Sequence, residues 1–204
     1  MIPKHQLTGA VLAGGESRRM GRDKAALVVG ETPLWQRQVK VLRTAGASVV
    51  GVVRRPDQPA LALPADIQLW QDAVSGIGPL AGLHAALTAC PTDFLAVVAT
   101  DMPRLESGWF QWLGGFCSPG CGAIARRTDG IFEPLAAIYP KAALAEVIRR
   151  LTGPDFSLQA LAAALIAQKR LVSVPLPDAN LWQVENWNTP AETALNAAAQ
   201  APAS

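Results

Sequence analysis

The sequence predicts an α/β domain with a mainly parallel central sheet and helices on both faces. Three observations predict it. Short apolar runs at 7–13, 47–53 and 94–99 have the continuous hydrophobicity of strands covered on both sides. Segments between them repeat apolar residues at the helical spacings of i, i+3, i+4 and i+7. The two patterns alternate, with no internal repeat and no long linker, as in chains built from strand–helix–strand units. At 204 residues the chain is sized for one domain, 1–204, with a substantial core.

The first strand, Leu7 to Ala13, stops at Gly14-Gly15. A short apolar piece, 25–29, ends at Gly30, and Thr32-Pro33 opens a helix whose face is Trp35, Val39 and Leu42. Gly46 closes that helix as a C-terminal cap. The second strand runs to Val53 and is broken by Arg54-Arg55-Pro56, two cations that either reach a ligand or are solvated. Residues 57–64 form a proline-rich loop and 67–70 a short strand. Gly78-Pro79 then starts a helix with Leu80, Leu83 and Leu87 on one face; His84 near that face reads as a packed side chain.

Phe94 to Ala99 is the most apolar run and reads as the central strand, ending in Thr100-Asp101-Met102-Pro103. A helix is expected over 106–117, a short strand over 123–125 and a polar turn over 126–130. Leu144, Val147, Ile148 and Leu151 form one helical face, and Leu158, Leu161 and Leu165 another. Residues 171–174 complete the sheet, and the Ala-rich 193–204 reads as a fraying tail.

Composition excludes several functions. Hydrophobic residues make up 50% and charged residues 17%, which is globular rather than disordered. Eighteen basic and 16 acidic side chains leave a net charge of +2, with no basic face for nucleic acid. Cys90, Cys117 and Cys121 are too few and too irregular for a disulfide framework, and with only His5 and His84 they make no recognisable zinc spacing. No signal-peptide core precedes the first strand, and no apolar run of ~18 residues spans a membrane, so a cytoplasmic location is expected.

The chemistry concentrates after the first strand. Two glycines let the backbone turn sharply and bring its N–H groups close to a ligand. Arg18, Arg19, Arg22 and Lys24 follow at once. Backbone dipoles and cations together hold phosphate. Neither G-x-x-x-x-G-K-[ST] nor G-x-G-x-x-G fits, since Gly15 and Gly21 are separated by five residues and Arg22 follows. Asp101, at the carboxyl end of the central strand, is placed to hold Mg²⁺, which favours one or two carboxylates plus phosphate oxygens and water.

Leu12-Ala13-Gly14-Gly15-x-Ser17-x-Arg19-Met20-Gly21-x-Asp23-Lys24 resembles the signature of the molybdopterin nucleotidyltransferase family, most of all its molybdenum cofactor guanylyltransferases. Gly78-Pro79-Leu80-Ala81-Gly82, the strand ending in Asp101-Met102-Pro103, and Asn186-Trp187-Asn188-Thr189-Pro190 are similar to further family patterns. The resemblance is dense over 7–34, 72–104 and 186–192 and weak over 105–170, where 132–139 resembles the family's strand near the acceptor, which implies a strand there, although Glu133-Pro134 departs from the usual polar-Pro pair.

The resemblance implies a Rossmann-like nucleotidyltransferase fold and transfer of GMP from GTP to the terminal phosphate of molybdenum-molybdopterin, with release of pyrophosphate. It implies nucleotide contacts from Leu12, Ala13, Gly14, Gly15, Lys24, Asp72 and Asp101, and catalytic roles for Arg19, Lys24 and Asp101. Asp101 would hold Mg²⁺, or Mn²⁺ in its place. Asn186 and Asn188 would lie on the acceptor side, with Asn188 as a second metal contact. The implied partners are GTP, molybdopterin and, transiently, molybdenum insertion proteins or target molybdoenzymes, with no nucleic acid and no membrane. The alternatives are a molybdopterin cytidylyltransferase, where the family tends to carry Leu-Ala-Ala-Gly, a sugar-1-phosphate nucleotidyltransferase, and a non-catalytic nucleotide- or cofactor-binding protein.

Overall fold

A computed structural model describes residues 2, 6–14, 25, 27–29, 32–72 and 77–187. The elements in chain order are β1 (Leu7–Leu12), β2 (Val28–Val29), β3 (Thr32–Pro33), α1 (Leu34–Thr44), β4 (Val49–Arg54), β5 (Gln68–Gln71) and α2 (Pro79–Ala89). They continue as β6 (Phe94–Ala99), α3 (Ser107–Gly114), β7 (Gly122–Arg126), β8 (Ala136–Pro140), α4 (Leu144–Leu151), α5 (Leu158–Ala167) and β9 (Leu171–Pro175), followed by a 3₁₀ turn, Asp178–Val184.

The main sheet has the order β5-β4-β1-β6-β8-β7-β9. β5, β4, β1 and β6 are mutually parallel, β7 and β9 are parallel, and β8 alone runs against its neighbours. β1 and β6 are buried along their whole length, as their unbroken apolar runs require. Side chains alternate across the sheet. One face takes Leu7, Val11, Ala96 and Val98 into a cluster with Trp35, Val39 and Leu42 of α1 and Trp109, Phe110 and Leu113 of α3. The other takes Ala10, Leu12, Leu95 and Val97 into a cluster with Leu80, Leu83 and Leu87 of α2, Val147 of α4 and Leu161 of α5.

Several elements differ from the sequence expectation. Thr32-Pro33 pairs with β2 as a strand, so the helix opens at Leu34 with Pro33 as its N-cap. The helix expected over 106–117 is only Ser107–Gly114, closing where the Gly115 N–H turns back to the Trp112 and Leu113 carbonyls. The strand expected over 132–139 begins at Ala136, because the preceding residues close a turn in which the Glu133 N–H donates to the Ala125 carbonyl. On α4 the buried stripe holds Glu146 and Val147, and Ile148 is 47% exposed. Glu146 fills the inward position because Arg149, Arg150 and Gln168 all donate to its carboxylate. Leu144 and Leu151 pack with Val147 against the same core cluster, so three of the four residues of the expected face turn inward and the paired carboxylate lies beside them. Among the described residues no helix is long and apolar enough to cross a membrane.

Candidate active site

From β1 the chain winds outward through α1 to β4 and β5, and α2 then carries it back past β1 to β6. The winding reverses between β1 and β6, with α1 on one face and α2 on the other. The loops leaving these two strands diverge, and the crevice outside their carboxyl ends is where open α/β sheets bind ligands. The register places the two lips: Leu12 pairs with Ala99, and the Thr100 N–H donates to the Leu12 carbonyl at 3.3 Å. Gly14 and Asp101 each lie two residues beyond that pair.

The edge continues on the β4–β5 side. The Ala13 N–H donates to the Val53 carbonyl at 2.9 Å, and the Asp72 N–H to the Arg54 carbonyl at 2.9 Å. These bonds extend the parallel ladder by one step past the strands and set Asp72 at the edge, where it is buried to 7% exposure. The carboxyl ends from β5 to β6 span three strand spacings, about 14 Å, enough to lay out a nucleotide. The two arginines at the end of β4, Arg54 as its last residue and Arg55 just after it, divide in role. Arg54 is buried, and its Nη2 donates to the Pro59 carbonyl at 2.7 Å. Arg55 pairs with Asp57 at 3.0 Å and has its stem beside Gly14. The Arg55 hydrogen bond holds the exposed Asp57 carboxyl below its ordinary value. Gln58 closes the loop: its Nε2 donates a hydrogen bond to the Ala13 carbonyl at 3.2 Å.

α2 begins at the same edge. Gly78, its N-cap, has φ +65° and ψ −150°, a conformation available to glycine and strained for other residues. Pro79 then supplies the first helical residue with φ already fixed. Gly82 brings the helix close over Leu12, whose Cδ2 would lie 3.5 Å from a Cβ built there.

The Asp101 side is fixed from three directions. Its carboxylate is half-buried, with Oδ1 shielded from solvent. The Gln38 side chain on α1 donates through Nε2 to the Met102 carbonyl at 2.7 Å. The Trp187 backbone N–H donates to the Asp101 carbonyl at 2.8 Å. Arg104 pairs with Glu185 at 3.1 Å and stands 6.0 Å from the Trp187 ring centre, while that ring packs on Leu34 and Leu27. This strap carries the exposed Asn186 to the Asp101 turn. Beyond β6, the Ala99 N–H donates to the Leu135 carbonyl, and the buried Glu133 pairs with Arg127. Burial pushes the Glu133 carboxyl up, and the Arg127 hydrogen bond opposes that rise.

Six residues expected at the site, Leu12, Ala13, Gly14, Asp72, Asp101 and Asn186, therefore share one edge of the sheet. Gly15, Arg19, Lys24 and Asn188 lie outside the described residues, as do Arg18, Arg22 and the Ala-rich tail. Sequence reasoning missed two supports of this edge, the amide of Gln38 and the backbone of Trp187. For Gln38 a signal existed: it falls on the buried face of α1 with Trp35, Val39 and Leu42, where a polar residue needs a partner.

The profile of the MobA-like NTP transferase domain matches residues 9–173. A protein of Opitutus terrae named "probable molybdenum cofactor guanylyltransferase" is 51% identical over 187 residues, which cover 90% of this chain and 91% of that protein. A protein of Mycobacterium avium with the same name is 37% identical over 210 residues, covering the full length of both. Among solved structures, molybdopterin-guanine dinucleotide biosynthesis protein A from Archaeoglobus fulgidus superposes with a TM-score of 0.74 at 24% identity, covering 94% of this chain and 97% of its own. That similarity shows a shared fold.

Proposed function

The chain belongs to the MobA-like NTP transferase family, and from that premise we propose that it transfers GMP from GTP to the terminal phosphate of molybdenum-molybdopterin. The products are molybdopterin guanine dinucleotide cofactor and pyrophosphate, and residues 1–204 act as one catalytic domain. The observation that carries this reading is the pairing of Leu12 with Ala99, which sets Gly14 and Asp101 on facing lips of the β1/β6 crevice.

The reaction makes few demands on proton transfer. The attacking phosphate oxygen is already ionised, so no strong general base is needed. The protein must align that oxygen with the α-phosphorus and balance the charge that grows on the leaving pyrophosphate. Gly14 and Gly15 offer backbone N–H groups to the triphosphate, and Arg19 and Lys24 form charge-assisted bonds that strengthen as the α–β bond breaks. Leu12, Ala13 and Asp72 flank the nucleoside, and Asn186 and Asn188 face the acceptor.

The donor set at Asp101 fits Mg²⁺, with Mn²⁺ as its substitute. It brings one half-buried carboxylate. Among the described residues no group of three or more His, Cys, Asp or Glu gathers into an all-protein cage. One carboxylate, with substrate phosphates and water, is the usual Mg²⁺ arrangement. When bound, the ion supplies charge neutralisation on the phosphates. Asp101, with Asn188 as a further contact, would hold it, in a cytoplasmic enzyme that hands its product to a molybdenum insertion protein or a target molybdoenzyme.

The test is transfer itself: purified protein with Mg²⁺, molybdenum-molybdopterin and each NTP in turn, scored by pyrophosphate and dinucleotide product. GTP is expected to be preferred over CTP and ATP. A pocket that hydrogen-bonds guanine leaves polar groups unpaired with the wrong base, costing ~1–3 kcal/mol for each. Equal turnover of CTP in competition would make the enzyme a cytidylyltransferase, and no pyrophosphate with any NTP would leave a binding protein.

A further inference from the structure

We propose that Gln38 is a positioning residue for the reaction, acting through the Asp101 turn; the proposal rests on the reading of Asp101 given above. Gln38 lies on α1, 64 residues from the turn, and is wholly buried. Its neighbours on the same helix face are Trp35, Val39 and Leu42, a setting where an apolar side chain would be the default. Its Nε2 donates to the Met102 carbonyl at 2.7 Å. Its Oε1 is also buried and, among the described residues, accepts no hydrogen bond.

That half-satisfied amide argues against a purely structural role. A buried acceptor without a donor is a standing cost, and an apolar residue of the same shape would remove it. What the amide provides instead is a fixed point directly after Asp101. Met102 is itself buried, and the carbonyl one residue earlier, on Asp101, accepts from the Trp187 N–H at 2.8 Å. Two consecutive carbonyls are thus held from opposite ends of the chain, Asp101 from the strap and Met102 from α1. The Asp101 carbonyl lies in the peptide plane between Asp101 and Met102 and the Met102 carbonyl in the plane that follows, so the two bonds restrain both planes after Asp101 and with them the angle at which its side chain leaves the backbone. Loss of the Gln38 bond leaves the Met102 carbonyl only the longer 3.2 Å bond from the Leu105 N–H within its own turn, so the turn loses its tie to α1. The Asp101 carboxylate then spends less time in its productive orientation, and small misplacements of aligned groups lower the rate steeply.

The experiment uses the full chain in four forms: wild type, Gln38→Met, Asp101→Asn and the double variant. Methionine keeps the length and volume of Gln38 and removes both the donor and the orphaned acceptor. Gln38→Met is expected to lower kcat about tenfold or more with KM for GTP within about twofold, and to raise the Mn²⁺ concentration needed for half-binding in the presence of GTP, read by electron paramagnetic resonance. Hydrogen exchange at the Trp187 amide should quicken about tenfold, while β1 amides keep their protection. In the Asp101→Asn background Gln38→Met should change kcat by less than about twofold, since residues acting as a unit are non-additive. Unchanged kcat and Trp187 exchange in Gln38→Met, or losses that multiply in the double variant, would overturn the proposal. Gln38→Leu is the second variant, and if neither folds, Gln38 is a stability element and the proposal is wrong. An Asp101→Asn enzyme with wild-type turnover would instead refute the placement of the metal ligand, an outcome read separately from the effect of Gln38→Met.

Discussion

Replacing Asp101 with Asn tests the placement of the site most directly. The substitution keeps the shape and one oxygen and removes a single negative charge. The structure indicates how the fold responds: the Trp187 N–H bonds to the backbone carbonyl of Asp101, not to its side chain, so the strap survives the change. The preceding strand is buried at every residue, so the turn stays anchored. The charge itself is partly withdrawn from water, with Oδ1 shielded. For such a site near the protein surface an effective dielectric of about 20 applies, and two unit charges about 4 Å apart then interact by about 4 kcal/mol. At 1.36 kcal/mol per decade, that is roughly a thousandfold in rate if the interaction is lost in the transition state. The assay is steady-state GTP turnover with molybdenum-molybdopterin across a Mg²⁺ titration, beside a thermal melt. The expected result is a fall in kcat near a thousandfold, partial recovery at high Mg²⁺, and a melting temperature close to wild type. Near wild-type turnover with the same Mg²⁺ dependence would refute the reasoning and move the metal ligand elsewhere.

Lys24→Ala is expected to lower kcat more than it raises KM for GTP, because the leaving pyrophosphate gains charge only as the bond breaks; a rise in KM alone would make Lys24 a binding residue. Gly78→Ala forces a Cβ onto a residue at φ +65°, at a cost of ~1–3 kcal/mol, so melting is expected to fall by about 2–10 °C; an unchanged melting temperature would mean the turn relaxes freely. Glu146 governs acid stability. The Arg149 hydrogen bond, with Gln168 and Arg150, lowers its carboxyl to about 2 against burial, so this contribution is complete above the unfolded value near 4.5 and fades as pH falls toward 2. Denaturant midpoints should therefore drop across that window, and Glu146→Gln should flatten the drop; equal slopes in both proteins would remove Glu146 from the account.

The parts of the fold that were legible from sequence share a physical cause. β1 and β6 are covered on both faces, so their identity is written in uninterrupted apolar runs that no other element supports. α2 announces its start because only glycine fits φ +65° at Gly78 and Pro79 suits the first turn. The rule that loops after parallel strands carry ligands puts Asp101 over the crevice, whereas Asp72 is assigned to the nucleoside only by the family resemblance; in the fold both lie with Gly14 along one edge of the sheet. What was illegible depends on contacts between distant segments. The reversed direction of β8 cannot be read from its composition. It follows from the Arg127–Leu135 connection, which is too short to hold the crossover helix that a parallel partner of β7 would need. On α4 the expected face holds at Leu144, Val147 and Leu151 but not at the exposed Ile148, and the inward turn of Glu146 was illegible because it counts as polar by type, yet is drawn in by three donors.

The same division runs through the site and explains why its chemistry is easier to read than its support. Glycine, cation and carboxylate are the commonest groups to meet phosphate or metal, so residue type points to the role. Groups that hold those residues in place need only one well-aimed donor, and backbone suffices. Trp187 supplies an N–H that any non-proline residue at that position would supply, so its side chain gives no hint of the bond to Asp101. Its ring does a separate task, filling the space between Leu27 and Leu34 where α1 begins. The strap therefore links Leu27, the start of α1 and the Asp101 turn through one residue. Asn186, its neighbour, inherits its position from that anchorage rather than from any bond of its own among the described residues. If Asn186 faces the acceptor as proposed, the backbone of residues 185–187 registers it to Asp101, and in-line transfer between two bound phosphates requires such a fixed relation.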